Sequence, residues 1–451
     1  MKFSLSLNCS KCFVDFFSFT MERRRLHLAS SAAAVAGSVA LCFVLAMQAR
    51  WLARARSEKA ARDAAPAANE AEAFQANSRA AVAEQRCAAL EKEIALSETA
   101  RVTLEARVAE LMQTSSGPVI LSDADVRALL PVAEARAVQR AAFASHAQGK
   151  VTAPPRIIIP APQHDGCTLF KPAAIVQSGD ASDELGIKVV AVRPRNAPPQ
   201  ATIPATVLVL NEVTGVVVAV IDATFLTAQR TAAGSAVATE LLLAGSNTPP
   251  VELLVFGAGL QAAAHIEALL DLYPSLASLS VVNRSAPRAE ALLASPPCVA
   301  LHRTAFIASA DRAAVAAAVA RADVVVTATN ACEPLFTGTA LKPGAHVIAV
   351  GCYTAAAREL DAACVARCAI VVDEPEAWKV GDLAQLSASQ KKDRDCGTLG
   401  ELVVNGGSIA SPPAAEEADC TLFKSVGVAF QDVAAGAAVL RAFRRRQSEI
   451  V

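Results

Sequence analysis

Val251-Glu252-Leu253-Leu254-Val255-Phe256-Gly257-Ala258-Gly259-Leu260-Gln261-Ala262-Ala263 is the stretch whose reading decides the fold. A short apolar run rich in Val and Leu stops at Gly257-Ala258-Gly259 and passes straight into a helical pattern that reaches Leu272. The reading is strand, tight turn, helix. Gly257 suits a turn that needs positive φ. Gly259 has no Cβ and lets a pyrophosphate approach the backbone, and Ala262 stands where a small residue lets helix and strand pack closely. The helix N-terminus then offers unpaired N–H groups and a positive dipole end to phosphates. Gly257, Ala258, Gly259, Leu260 and Gln261 are therefore the candidate cofactor-binding residues.

The next strand adds the identity of the dinucleotide. Ser278 to Val282 reads as extended and ends at Asn283-Arg284-Ser285. A site for NAD commonly has Asp or Glu here, accepting from the ribose 2′-hydroxyl. This chain instead offers an amide, a guanidinium and a hydroxyl, which suit a 2′-phosphate dianion. The alternative is a solvated Arg at a strand end. The reading favours NADPH over NADH.

The chain has 451 residues, room for two or three domains. Its formal net charge of -1 gives no electrostatic case for nucleic acid. Alanine is abundant, which raises helix propensity and weakens any periodicity argument. The 12 cysteines are scattered and are expected as thiols. Cys9-x-x-Cys12 has no second Cys or His pair nearby, so no metal site is expected there. Cys364 and Cys368 fall in an Ala-rich, helix-like stretch and read as core or half-buried.

Residues 1–115 look unlike the rest. Leu28 to Met47 is an uncharged run of about one membrane thickness. It has Arg23-Arg24-Arg25 before it and Arg50, Arg54 and Arg56 after it, so the positive-inside rule does not orient it. A membrane anchor over 28–47 is expected, with the catalytic part facing the cytoplasm. An organellar targeting peptide is the rival, because the chain from Met21 is basic and Ala/Ser-rich. Residues 1–20 could be an upstream extension of a chain that starts at Met21. Residues 56–113 read as a helical stalk, with Leu90, Ile94, Leu104, Val108 and Leu111 hinting at a coiled coil.

After the Ser115-Ser116-Gly117-Pro118 boundary, a helix is expected within 121–147, N-capped by Ser122. Strands are expected at 156–160, 186–192, 206–210 and 216–221, the last two joined by an Asn211–Gly215 hairpin turn. A helix covers 223–244. Residues 251–373 alternate strand and helix, with strands at 323–328, 346–350 and 370–373, which makes a parallel sheet. The charged stretch Lys391-Lys392-Asp393-Arg394-Asp395 reads as a loop, and Thr421 to Arg445 as one long helix.

Three cations precede the nucleotide domain. Arg156 opens a strand, Lys188 sits among apolar residues inside one, and Arg230 lies where the hairpin's return leads into a helix. A Lys in an apolar strand is costly unless partnered; on a half-solvated face it is simple alternation. Together, Arg156, Lys188 and Arg230 suit a small carboxylate, Arg as a planar fork and Lys as a point charge. They are the candidate catalytic residues, and Lys188 is the candidate proton donor, since burial can lower a Lys pKa.

From about residue 120 to 445 the chain resembles the ornithine cyclodeaminase/mu-crystallin family. The resemblance is carried by Ala205–Leu210 with Thr214-Gly215, Leu226–Ala233, Gly257–Ala262, Ala322–Thr329, Lys342–Val347, Arg358–Asp361 and Phe423–Ala429 with Asp432. It implies an α/β architecture: a Rossmann NAD(P) domain at 250–373, inserted between the two halves, 116–249 and 374–451, of an α+β substrate and dimerisation domain. It implies that Arg156, Lys188 and Arg230 hold the substrate carboxylate. Thr327 and Thr329 would lie along the cofactor, and Val350-Gly351 and Ser425-Val426-Gly427 would approach the nicotinamide. A homodimer is implied as well.

Within that family, the cyclodeaminase branch has a catalytic Asp after the Val-Gly pair. Here the stretch reads Val350-Gly351-Cys352-Tyr353-Thr354, without a carboxylate. Asn283-Arg284-Ser285 resembles the NADPH-using mu-crystallin branch of ketimine reductases, as does His164, which could equally be an exposed loop histidine. The expectation is an NADPH-dependent reductase of imines or cyclic ketimines of amino acids. The alternatives are an ornithine cyclodeaminase that recycles NAD, and a non-enzymatic binder of thyroid-hormone-like ligands gated by NADPH.

Overall fold

The computed structural model describes residues 117–449 apart from 177–182, 247, 353, 355–356 and 409–416. The expected anchor at 28–47, the stalk at 56–113 and Tyr353 lie outside the described residues. Among the described residues, no helix is long and apolar enough to cross a membrane.

Two sheets organise residues 118–451, which form one compact unit. The first contains β1 (Val119–Leu121), β2 (Val151–Thr152), β3 (Ile157–Ala161), β4 (Gly166–Ile175), β5 (Glu184–Val192), β6 (Ala205–Leu210) and β7 (Val217–Asp222). Its order is β1-β7-β6-β5-β4-β2, with β3 also paired to β4. β4 to β7 are antiparallel neighbours, and β5 and β6 alternate buried and half-buried residues, as a sheet covered on one face must. At the β6–β7 turn, Asn211 Oδ1 accepts from the Val213 and Thr214 amides and Gly215 takes φ +70°.

Three helices belong to this half: α1 (Asp123–Leu129), α2 (Val132–Ala147) and α3 (Thr224–Leu242). Ser122 caps α1 in a capping box with Asp125.

The second sheet contains β8 (Glu252–Phe256), β9 (Ser278–Asn283), β10 (Arg303–Ala308), β11 (Val324–Thr327), β12 (His346–Ala349), β13 (Cys368–Val372), β14 (Asp395–Thr398) and β15 (Cys420–Lys424). It is parallel throughout, in the order β10-β9-β8-β11-β12-β15-β13-β14. Both faces are covered. Leu253 and Val255 pack with Val324, Ile348 and Phe423 in one core, while Leu254 and Phe256 pack with Val325, Val347 and Leu422 in another. That is why these strands read as unbroken apolar runs. α4 (Leu260–Leu272) and α5 (Ala286–Leu293) follow β8 and β9.

Three sequence expectations are corrected. Thr421 to Arg445 is not one helix: Cys420–Lys424 is a strand lying between β12 and β13, and only α6 (Ala429–Glu449) is helical. Gly427, at φ +72°, breaks the chain between them. The parallel sheet therefore does not end at 373, because β14 and β15 come from the segment assigned to the other domain. α6 returns to pack on β4, β5 and β6, and the short helix Leu399–Val404 packs on α2. Lys391 to Arg394 is the end of a helix, Ala388–Arg394, opened by a Ser387/Gln390 capping box, and Asp395 begins β14.

Candidate functional site

The glycine turn has the expected geometry. Gly257 adopts φ +108°, and a Cβ there would stand 2.6 Å from the Ala328 carbonyl oxygen. Gly259 precedes α4 with no side-chain cap, and a Cβ on it would meet nothing within 4 Å. The helix N-terminus is thus open toward the space above the turn, with Ala258 and Gln261 half-buried and Leu260 exposed beside it. Ala262 is fully buried against the sheet. These features fit a dinucleotide pyrophosphate. At the end of β9, Asn283 Nδ2 donates to the Ser285 carbonyl at 2.9 Å. Arg284 is exposed, and Ser285 stands at the N-cap of α5 without a side-chain cap bond. An exposed guanidinium and a half-buried hydroxyl stand together at a helix start there, a fit for a phosphate.

Beyond the C-terminal ends of β11 and β12 the polar groups converge on Glu359, which is fully buried. It accepts from Thr327 Oγ1 at 2.9 Å, from the Thr329 amide and hydroxyl at 2.7 Å each, and from the Gly351 amide at 3.0 Å. Burial raises its pKa, against the pull of the Thr329 hydrogen bonds and Lys424. Thr327 is itself fully buried, so its side chain braces the strand end. Thr329 and Val350 are half-buried. Cys352, Glu359 and Asp382 gather close enough to suggest a metal. The Lys424 ammonium already sits among them, 2.8 Å from the Cys352 carbonyl and 3.3 Å from Asp382 Oδ2.

Two of the three clamp residues, Lys188 and Arg230, meet on a carboxylate that the sequence reading left without a role. Asp432, on α6, is fully buried. Its Oδ1 lies 2.7 Å from Lys188 Nζ and 2.7 Å from Arg230 Nε. The second contact lies off the hydrogen-bonding direction, so it is an attraction of charge, and Arg230 makes its hydrogen bond to Gln431 Oε1 at 2.6 Å. Burial opposes ionisation of Asp432, but Arg230, Lys188 and Lys171 outweigh it and hold the carboxyl down at about 2. Lys188 is 1% exposed, so it lies on the covered face of β5 and not on a solvated one. Burial pushes its pKa well down, with Asp432 pulling the other way.

Lys171 is the site residue the sequence reading missed. It lies on β4 directly across from Lys188 in the register and is also buried. Its ammonium donates to the Gly427 carbonyl at 3.0 Å and lies 3.6 Å from Asp432 Oδ2. Burial brings its pKa down to about 8 against the pull of Asp432. The signal was present in Leu169-Phe170-Lys171-Pro172-Ala173, a second lysine in an apolar strand. Arg156 stands at the rim, paired with Glu374 at 3.3 Å. Gly427 presses on the other side of the clamp, where a Cβ would lie 2.9 Å from the Arg230 guanidinium. His164 is exposed on the turn Pro162–His164. The chain thus sets four cations and their counter-ions beside the C-terminal ends of β12, β15 and β13, where open α/β sheets bind ligands.

Comparison with known proteins gives a consistent result. The family model described as "Ornithine cyclodeaminase/mu-crystallin family" matches residues 117–446. The ketimine reductase mu-crystallin of Rattus norvegicus is 33% identical over 300 residues, covering 65% of this chain and 86% of that protein. A Dictyostelium discoideum protein described as an uncharacterized cyclodeaminase is 29% identical over 354 residues, covering 70% of this chain and 94% of that one. The Thermococcus litoralis Δ1-pyrroline-2-carboxylate reductase, solved with NADH and L-proline, superposes with a TM-score of 0.63 at 26% identity, covering 73% of this chain and 98% of that one.

Proposed function

This chain belongs to the ornithine cyclodeaminase/mu-crystallin family and is a nicotinamide-dependent oxidoreductase of C=N bonds; from that premise we propose that it reduces cyclic ketimine carboxylates with NADPH. The observation that carries the reading is the group of buried cations, Lys171, Lys188 and Arg230, around one aspartate. Their positive charge exceeds that of Asp432, and a substrate carboxylate is its natural complement. Arg156 and Arg230 grip the acid, while Lys188 fixes Asp432 and with it the direction of Arg230. The clamp orients the C=N carbon, and proximity supplies much of the rate. A bound dinucleotide supplies the hydride.

Arg284 and Ser285 support the choice of NADPH. Arg284→Ala is expected to weaken NADPH binding by roughly 10- to 100-fold, the loss of a charge-assisted contact, and to leave NADH binding within about threefold. Fluorescence titration with both dinucleotides reads this directly, and equal losses for the two would reassign Arg284 to structure.

The reaction is tested on the full-length chain with a cyclic ketimine carboxylate and with ornithine. Steady NADPH oxidation by the ketimine is the expected result. Ammonia release from ornithine without net cofactor change would replace this reading by the cyclodeaminase. Ligand binding without turnover of any imine would replace it by the binder. We further take the working form to be a homodimer, because β3 leaves Ile157, Ile158 and Ile159 60%, 54% and 53% exposed at a sheet margin. Attachment through residues 28–47, with the catalytic part facing the cytoplasm, belongs to the same proposal.

A further inference from the structure

The charge cluster has a deep part and a shallow part. Lys188, Arg230 and Asp432 have side chains 2%, 4% and 1% exposed. Arg156 and Glu374 are 23% and 24% exposed and touch at 3.3 Å, a single loose contact. Glu374 directly follows Asp373, whose Oδ2 accepts from Ser425 Oγ and from the amides of Val426 and Gly427. Asp373 Oδ1 accepts from the Glu374 amide at 2.9 Å. Glu374 is thereby fastened to the turn that presses on Arg230, at the mouth of the clamp.

We infer that Glu374 carries the proton of the reduction: it holds Arg156 until a substrate carboxylate takes that arginine over, then takes up a proton and gives it to the imine nitrogen. The inference rests on the reductase reading above. A carboxylate substrate engages Arg156 with two parallel hydrogen bonds, where Glu374 makes one long contact. Glu374 then faces Asp373 at the end of β13, Glu376 in the turn that follows, Lys171 on β4 and the incoming anion. Burial and Asp373 already bring its pKa up to about 7, against the pull of Arg156 and Lys171. Losing Arg156 and gaining a negative neighbour both move it further up, so the group is neutral when substrate is bound.

The other candidates are tied down. Lys188 Nζ is fixed on Asp432 at 2.7 Å, and Lys171 donates to the Gly427 carbonyl. In the step itself, one O–H bond of Glu374 breaks and one N–H bond forms on the imine nitrogen, using the nitrogen lone pair. Nothing is oxidised or reduced in that transfer. The hydride to carbon is the one already assigned to the reduced dinucleotide, and solvent restores the Glu374 proton.

The test uses full-length protein saturated with NADP⁺ and pyrrole-2-carboxylate as a planar, carboxylate-bearing probe. Calorimetry at pH 7.5 in buffers of different ionisation enthalpy measures the protons taken up. The wild type is expected to take up about half a proton or more per site, with affinity falling as pH rises above 7. Glu374→Gln is expected to bind the probe without proton uptake, with a flat pH profile and unchanged NADPH affinity. Its turnover of a cyclic ketimine should fall on the order of 100-fold, more in kcat than in KM. Lys171→Met is expected to keep the uptake, and Glu374→Asp to restore it should the glutamine variant fold poorly. Uptake that persists in Glu374→Gln, or that disappears only in Lys171→Met, overturns the inference. A wild type that binds NADPH but not the probe overturns the clamp itself, and this inference with it.

Discussion

Asp432→Ala is expected to destabilise the protein by about 3–5 kcal/mol, the cost of leaving buried charge without its partner. Three cations share this one carboxylate, with Lys188 and Arg230 at 2.7 Å and Lys171 at 3.6 Å. A drop of roughly 5–15 °C in Tm should accompany the loss. Burial already lowers the pKa of Lys188 and Lys171, so in the variant these lysines shed their protons more readily. The unfolded chain keeps them protonated to higher pH and binds more protons, so the variant's stability recovers as pH rises from neutrality toward 10. In the wild type, Asp432 works at the acid end. Its folded pKa, about 2, lies below the unfolded value, so its contribution is complete above about pH 4 and fades as pH falls toward 2. Thermal melts across pH decide the matter. A loss under about 1 kcal/mol would mean that water reaches the cluster and the ions are solvated.

Arg230→Ala is expected to lower kcat/KM for a cyclic ketimine carboxylate by roughly 100- to 1,000-fold, about 2.7–4 kcal/mol of transition-state binding. Dissociation of NADPH should change by less than about threefold, because the dinucleotide turn lies on β8 and α4 while Arg230 lies on α3. Arg230→Lys keeps the charge but loses the planar fork, and should recover only part of the loss. Arg230 also supports the Gly427 turn and contacts Asp432, so melting curves belong beside the kinetics. Equal effects on substrate and NADPH would mean that the side chain is structural.

The nucleotide half of the chain was legible because its signals are local. Gly257 needs positive φ, Gly259 needs an open approach, and the strand before them and the helix after them lie within one short stretch. The α1 cap at Ser122 and the Asn211–Gly215 turn were legible for the same reason, since their hydrogen bonds join residues two to four apart. Cys420–Lys424 was not. A five-residue apolar strand beside a long helix has the same local appearance as one more helical turn. Only pairing with β12 on one side and β13 on the other makes it a strand. Arg156, Lys188 and Arg230 could be picked out as cations in unlikely places, but Asp432, the partner that Lys188 and Arg230 share, is more than two hundred residues away from both in the chain, and Arg156 pairs instead with Glu374. Lys171 was passed over because the strand that carries it, Gly166–Ile175, was not among the strands expected from the sequence.

The amino-acid sequence by itself determined that a strand, a glycine turn and a helix would form a dinucleotide fold, that its second strand would end in an amide, a guanidinium and a hydroxyl, and that cations unsuited to an apolar setting would precede it. Each follows from backbone sterics and side-chain chemistry over a few residues. Tertiary structure decided that α6 lies across β4 and β5, which sets Asp432 against Lys171, Lys188 and Arg230, and that Glu374 meets Arg156 at the rim. Those contacts depend on burial and on charge across the fold, and no local pattern encodes the distance between residues that only packing brings together.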